Sequence, residues 1–152
     1  IQLAVNFLMK YSTGNTPEER LSSAFMYMAR NYPYNRSYDH PKKASDMGPL
    51  AVDIFRNKKG NCFRQAAATA CLARVCGFRA RVVVGETLST SGHFVPHGWT
   101  EIYYNGKWRV CDMNAQMRYS YLQYYMLDNH YWTIKPQYRY EVTVSNGNAV
   151  WK

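Results

Sequence analysis

Asn105-Gly106 stands between two alternating runs, Gly98 to Tyr104 and Lys107 to Met113. A two-residue hairpin turn needs positive φ at both central positions, which makes Asn-Gly the strongest short signal for antiparallel strands. The turn also sets the register. Tyr104 pairs with Lys107 and, counting back, Trp99 with Asp112 and His97 with Asn114. Residues 97, 99, 101 and 103 then share a face with 114, 112, 110 and 108. His97 and Asp112 become diagonal neighbours on that face, close enough for their side chains to meet, and Cys111 turns to the other face.

Ahead of the hairpin lies the best helix in the chain. Cys62 to Cys76 is alanine-rich, follows Lys58-Lys59-Gly60-Asn61 and closes on Gly77. With Asn61 as the cap, Cys62 is the first helical residue, where unpaired backbone N–H groups and the helix dipole favour a thiolate. Thiols at helix starts near cations fall to roughly 3.5–7.5 in pKa, and Arg56, Lys58 and Lys59 lie just upstream. The same N–H groups suit a tetrahedral oxyanion. Helical rotation puts Cys71 about 180° away from Cys62, in the core. Cys76 returns to the Cys62 side but lies about 21 Å along the axis, too far to share a site. Ala66, Thr69 and Ala73 form a small-residue face on which a sheet can pack closely, bringing a strand end to the thiol.

The remaining segments fill out an α+β fold. Thr16-Pro17-Glu18-Glu19 starts a helix running to about Arg30, with apolar positions Leu21, Ala24, Phe25, Met28 and Ala29. Residues 1–11 are read as an earlier helix, Asn35 to Pro49 as a long surface loop, Arg81 to Gly85 as a buried strand and Glu86 to Pro96 as a polar loop. Tyr119 to Trp132 is aromatic and fits neither period. Tyr138 to Ser145 alternates like a strand, with a turn at Asn146-Gly147 toward Val150 and Trp151. The expected architecture is N-terminal helices and a central helix packed on an antiparallel sheet, as one domain over residues 1–152.

Composition narrows the partners. No run of about 18 apolar residues is present, so no transmembrane segment is expected. The first ten residues lack the basic lead of a signal peptide, and the absence of a starting Met suggests a processed or excised segment. The net charge of +9 favours anionic partners such as a cell-wall polymer. The basic residues are scattered, so nucleic acid is not expected. None of the four cysteines forms a CxxC pair, no Cys/His pair has zinc spacing, and no acidic loop suits calcium. No metal or cofactor is expected.

Gly60-Asn61-Cys62, then Gly77-Phe78-Arg79-Ala80-Arg81-Val82-Val83-Val84-Gly85, then His97-Gly98-Trp99-Thr100-Glu101-Ile102 and Trp108-Arg109-Val110-Cys111-Asp112 resemble, in order and spacing, the core of the transglutaminase-like superfamily. The resemblance covers roughly residues 17–115, with Phe78-Arg79 departing from the usual Ile-Pro. It implies a papain-like transglutaminase core with Cys62, His97 and Asp112 as catalytic triad. It also implies attack on a peptide or carboxamide carbonyl of a protein or peptide substrate, through a thioester. Water as acceptor would make a cysteine protease or amidase, and an amine would make a transglutaminase; prokaryotic relatives make hydrolysis at least as expected. A secreted or cell-surface location is favoured by the basic, tyrosine- and asparagine-rich composition.

Blander readings exist for each residue. A cysteine in an alanine-rich helix is usually a small buried hydrophobe. His93 is a rival base, and Asn114, opposite His97 in the expected register, is a rival to Asp112. His40 and His130 have no paired strand to orient them. Trp99 and Trp108 are read as packing residues, Trp99 also shielding the His97–Asp112 bond from water. The competing functional class is a non-catalytic binding module that keeps the scaffold.

Overall fold

The computed structural model describes residues 1–152. Four helices come first: α1 (Gln2–Tyr11), α2 (Pro17–Asn31), α3 (Met47–Asn57) and α4 (Cys62–Val75), with a short 3-10 turn at Ala44–Asp46 before α3. Strands β1 (Ala80–Leu88), β2 (Phe94–Tyr104) and β3 (Lys107–Cys111) follow, then the short helix α5 (Met113–Arg118) and strands β4 (Ile134–Ser145) and β5 (Asn148–Trp151). The five strands form one antiparallel sheet in the order β3-β2-β1-β4-β5. Both Asn-Gly pairs are hairpin turns with positive φ at each residue, Asn105 and Gly106 at 49° and 83°, Asn146 and Gly147 at 51° and 77°.

Local chemistry explains the helix starts. Thr16 Oγ1 accepts the Glu19 N–H at 3.1 Å with Pro17 in the first turn, and Asn61 Oδ1 accepts the Arg64 N–H at 3.1 Å. α4 is buried nearly all round, with Ala66, Ala67, Ala68, Ala70, Leu72 and Ala73 all inside the core, as befits a helix between the other helices and the sheet. Its small side chains let β2 come close. Thr100 Oγ1 donates to the Ala66 carbonyl at 2.8 Å, and a Cβ on Gly98 would sit 2.6 Å from the Phe63 ring. The main core lies on this side, with Leu21, Phe25, Met28, Ile54, Val82 and Ile102 fully buried, each such side chain contributing roughly 1.5–3 kcal/mol. The opposite face of the sheet carries a smaller cluster of Val83, Trp99, Val110, Ala115 and Tyr124.

Four sequence expectations are corrected. The expected loop Asn35 to Pro49 ends early, because Met47–Pro49 form the first turn of α3, where proline's missing N–H costs nothing. The expected loop Glu86 to Pro96 shrinks to Ser89–His93, since Glu86, Thr87 and Leu88 pair with Pro96, Val95 and Phe94. β3 ends at Cys111 rather than Met113, because Asp112 caps α5. Asn114 therefore lies in a helix and does not face His97. Tyr119 to Trp132, unassigned from sequence, is irregular and joined to β3 by a bridge between Val110 and Leu127.

Gly85 sits opposite His97 in the β1–β2 ladder and at a bulge in the β1–β4 ladder. A Cβ there would lie 2.2 Å from the Lys135 carbonyl oxygen, a backbone atom that cannot swing aside. Gly85→Ala is therefore expected to cost about 3 kcal/mol or more, a fall in Tm of about 6–12 °C for a chain this size. A thermal scan showing a loss under about 2 °C would mean that the two strands part more easily than their packing implies.

Candidate active site

The first residue of α4 is Cys62, 7% exposed, directly after the fully packed cap Asn61. The approach to it is pinned: Asn35 N donates to Gly60 O at 3.0 Å, and Gly60 N to Pro33 O at 3.3 Å. Arg56, Lys58 and Lys59, the cations expected near the sulfur, are exposed on the surface. The cation tied into the helix start is Arg64, whose guanidinium pairs with Asp39 at 2.8 Å and also with Asp53. Those two carboxylates anchor the preceding loop and α3 to the first turn of α4. The Arg64 guanidinium beside them, hydrogen-bonded to each, holds both carboxyls below the usual range.

His97 comes from β2 and is 7% exposed; its Nε2 lies 2.7 Å from Asp112 Oδ2. Asp112, with no exposed surface, is held from three directions. Its Oδ1 accepts the Ala115 N–H at 3.0 Å as the cap of α5, and its own N–H donates to the Tyr124 carbonyl at 3.0 Å. Burial opposes the charge on both partners. It is outweighed by their mutual attraction and hydrogen bond, so the His97 pKa is raised well above its ordinary value and that of Asp112 is lowered. The nearby Cys62 sulfur adds to the shift of the imidazole in the same raising direction. The sheet and the helix thus bring Cys62, His97 and Asp112 together.

The other candidates fall elsewhere. All four cysteines are free thiols. Burial pushes Cys71 and Cys111 up to about 12, and Cys76, half-buried, is raised as well. His93 is exposed in the β1–β2 connection, and His40 lies on the loop against the Phe63 ring at 5.1 Å. Trp99 is buried beside His97, with ring centroids 5.9 Å apart. His130, passed over in the sequence for want of a paired strand, has a side chain only 1% exposed and its Nε2 3.8 Å from Asp112 Oδ2. Its ring meets Trp99 edge-on at 4.8 Å. No group of three His, Cys, Asp or Glu side chains is placed to hold a metal ion.

A thiol at a helix start, next to an imidazole that a carboxylate orients, is an arrangement suited to moving a proton off sulfur. The sequence model of one protein family, described as the transglutaminase-like superfamily, matches residues 6–113. The chain belongs to the transglutaminase-like superfamily. The match ends one residue after Asp112, so the segment that carries His130 lies outside the matched residues. Solved structures share the superfamily's fold. A transglutaminase superposes with a TM-score of 0.53 at 18% identity, over 87% of this chain and 32% of its own. A candidate cysteine protease from Cytophaga hutchinsonii gives a TM-score of 0.53 at 20% identity, over 74% and 35%. An arylamine N-acetyltransferase from Bacillus cereus with a Cys-His-Glu catalytic triad gives 0.52 at 14% identity, over 74% and 47%. The chain thus spans about a third to a half of the length of these structures. No curated protein sequence matches it. No helix of this superfamily member is long and apolar enough to cross a membrane.

Proposed function

We propose that the chain is a thiol-dependent acyl-transfer domain acting on peptide or carboxamide carbonyls of a protein or peptide substrate, with Cys62 as nucleophile. The observation that carries this reading is the buried 2.7 Å His97–Asp112 bond beside a helix-start cysteine. Asp112 engages Nε2, so the other ring nitrogen, Nδ1, takes the thiol proton. The sulfur then adds to the carbonyl carbon. The negative charge that develops on oxygen is met by backbone N–H groups of the first turn of α4, which have no partners within the helix. His97 returns the proton to the leaving amine as the C–N bond breaks, leaving a thioester on Cys62. Water or a second amine then adds to the thioester, His97 takes the incoming proton, and collapse releases the acid or new amide and the thiol.

Acid-quenched mass spectrometry of the protein with a mixed peptide library, with and without a primary amine, tests this. The expected result is an acyl adduct on the Cys62 peptide, with product amide appearing when amine is supplied. Iodoacetamide at neutral pH supplies a second reading: Cys62 is expected to label first, ahead of Cys71 and Cys111, whose pKa values near 12 keep them protonated. An adduct confined to other residues, or Cys62 labelling no faster than a free thiol, would leave the scaffold as a binding module instead.

A further inference from the structure

Tyr119 to Trp132 contributes no strand to the sheet, yet it is tied down tightly. Val110 and Leu127 exchange backbone bonds of 2.8 and 2.9 Å, and the Gln116 side chain accepts the Tyr124 N–H at 2.7 Å and donates to Leu122 O at 2.9 Å. The result is to bury Tyr124 completely and to carry the His130 ring into the space between Tyr124, Trp99 and Asp112.

The proton on His130 can be placed by elimination. The Tyr124 hydroxyl oxygen lies 2.8 Å from the Tyr131 N–H, which can only donate, so the oxygen accepts there. The hydroxyl's own hydrogen is left to donate, and the acceptor within reach is His130 Nδ1 at 3.2 Å. A neutral imidazole that accepts at Nδ1 carries its hydrogen on Nε2. Burial pushes the His130 pKa down to about 4, so the ring is neutral over the working range. Nε2 is buried and has no hydrogen-bond partner, and it lies 3.8 Å from Asp112 Oδ2. A carboxylate oxygen already bonded to His97 still has a lone pair to offer.

We propose that His130 is a positioning residue of this site, presenting its Nε2–H to Asp112 Oδ2 so that one carboxylate is held between two imidazoles. This rests on the acyl-transfer reading above. The groups facing His130 are Asp112 at the end of β3, His97 on β2 and Tyr124 on its own segment, with Trp99 and Trp132 closing the rest. Across 3.8 Å the Nε2–H dipole, directed at Oδ2, offsets part of the charge that stabilises the His97 imidazolium. It thereby leaves His97 able to give its proton back to a leaving group. The carboxylate's rotation is already fixed by the Ala115 N–H on Oδ1 and by His97 on Oδ2, so Oδ2 stays facing His130.

Three measurements test this. Long-range 15N–1H correlation spectra of the labelled wild-type protein should show His130 protonated on Nε2 with an accepting Nδ1; an Nδ1-protonated ring overturns the proposal without any variant. His130→Phe keeps an aromatic ring at the position but has no donor. The pH profile of iodoacetamide labelling at Cys62 should then show its upper inflection, set by His97, moved up by roughly half a unit or more. His130→Gln, whose side-chain N–H can reach toward Oδ2, should return the inflection most of the way to its wild-type position, which a purely packing role would not do. A Phe variant whose profile overlies a normal wild-type profile overturns the role of His130 alone. Wild-type Cys62 labelling no faster than a free thiol overturns the acyl-transfer reading, and the role of His130 with it.

Discussion

Cys62→Ala is expected to lower kcat/KM on any peptide or amide substrate by roughly a thousandfold or more while leaving the fold in place. The sulfur is the one atom in the site able to form the thioester, and no second thiol can stand in for it. Cys71 is in the core, Cys111 faces the helix side of the sheet with its sulfur accepting the Met126 N–H at 3.3 Å, and Cys76 is at the far end of α4. Alanine is the best helix former and loses only a small buried group, so Tm should move by no more than about 3 °C. Retention of more than about a tenth of the wild-type rate by a correctly folded variant would show that the chemistry does not pass through Cys62.

Asp112→Asn is expected to cost about a thousandfold or more in kcat, by imposing the wrong tautomer. The amide has no choice of orientation. Ala115 donates its N–H to Oδ1, so the amide oxygen must stay there, and the amide nitrogen replaces Oδ2 beside His97 Nε2. Two donors cannot face each other. His97 must then present a lone pair at Nε2 and carry its proton on Nδ1, toward Cys62, where it cannot accept the thiol proton.

The same substitution changes how stability varies with pH. In the wild type the folded-state pKa of His97 is raised. Its contribution is fully present below the unfolded value of about 6.5 and is lost as pH rises through the folded value. The folded-state pKa of Asp112 is lowered, so its contribution is present above about 3.9 and is lost as pH falls through the folded value. Without the carboxylate, burial dominates His97 and depresses its pKa, and the variant loses stability as pH falls below about 6.5. The gap in Tm between the two proteins should therefore be widest at about pH 4–6 and narrow toward alkaline pH and strong acid. A gap that does not vary with pH would mean that the pair is not charged in the folded state.

Much of this was legible before any coordinates. Asn105-Gly106 set a register that holds from Tyr104–Lys107 to Thr100–Cys111, and Asn61 capped the helix that Cys62 opens. What escaped had physical reasons. Gly48-Pro49 looks like a break, but inside a first turn it costs little, and α3 follows directly. Pro96 looked like loop, yet there β2 has left β3 behind and pairs with β1 alone, so a residue without an N–H is tolerated. Asp112 could have been read as a helix cap, since aspartate is among the preferred caps, but the hairpin pattern ran past it. Arg64 is hard to single out because the basic run just upstream of Cys62 offers an obvious source of charge, while its partners Asp39 and Asp53 are distant in sequence. His130 was invisible because the aromatic segment around it has no period and is held by side-chain and single-bridge contacts that spacing does not encode.

The site lies on a seam: its sulfur rides on α4, and the imidazole and carboxylate arrive on the hairpin that packs there through Gly98 and Thr100. During synthesis, then, the thiol emerges well before the groups that would arm it. Under the proposed mechanism, a growing or half-assembled chain carries only an ordinary thiol, and the imidazole that would take its proton arrives at the folding step that seats the hairpin.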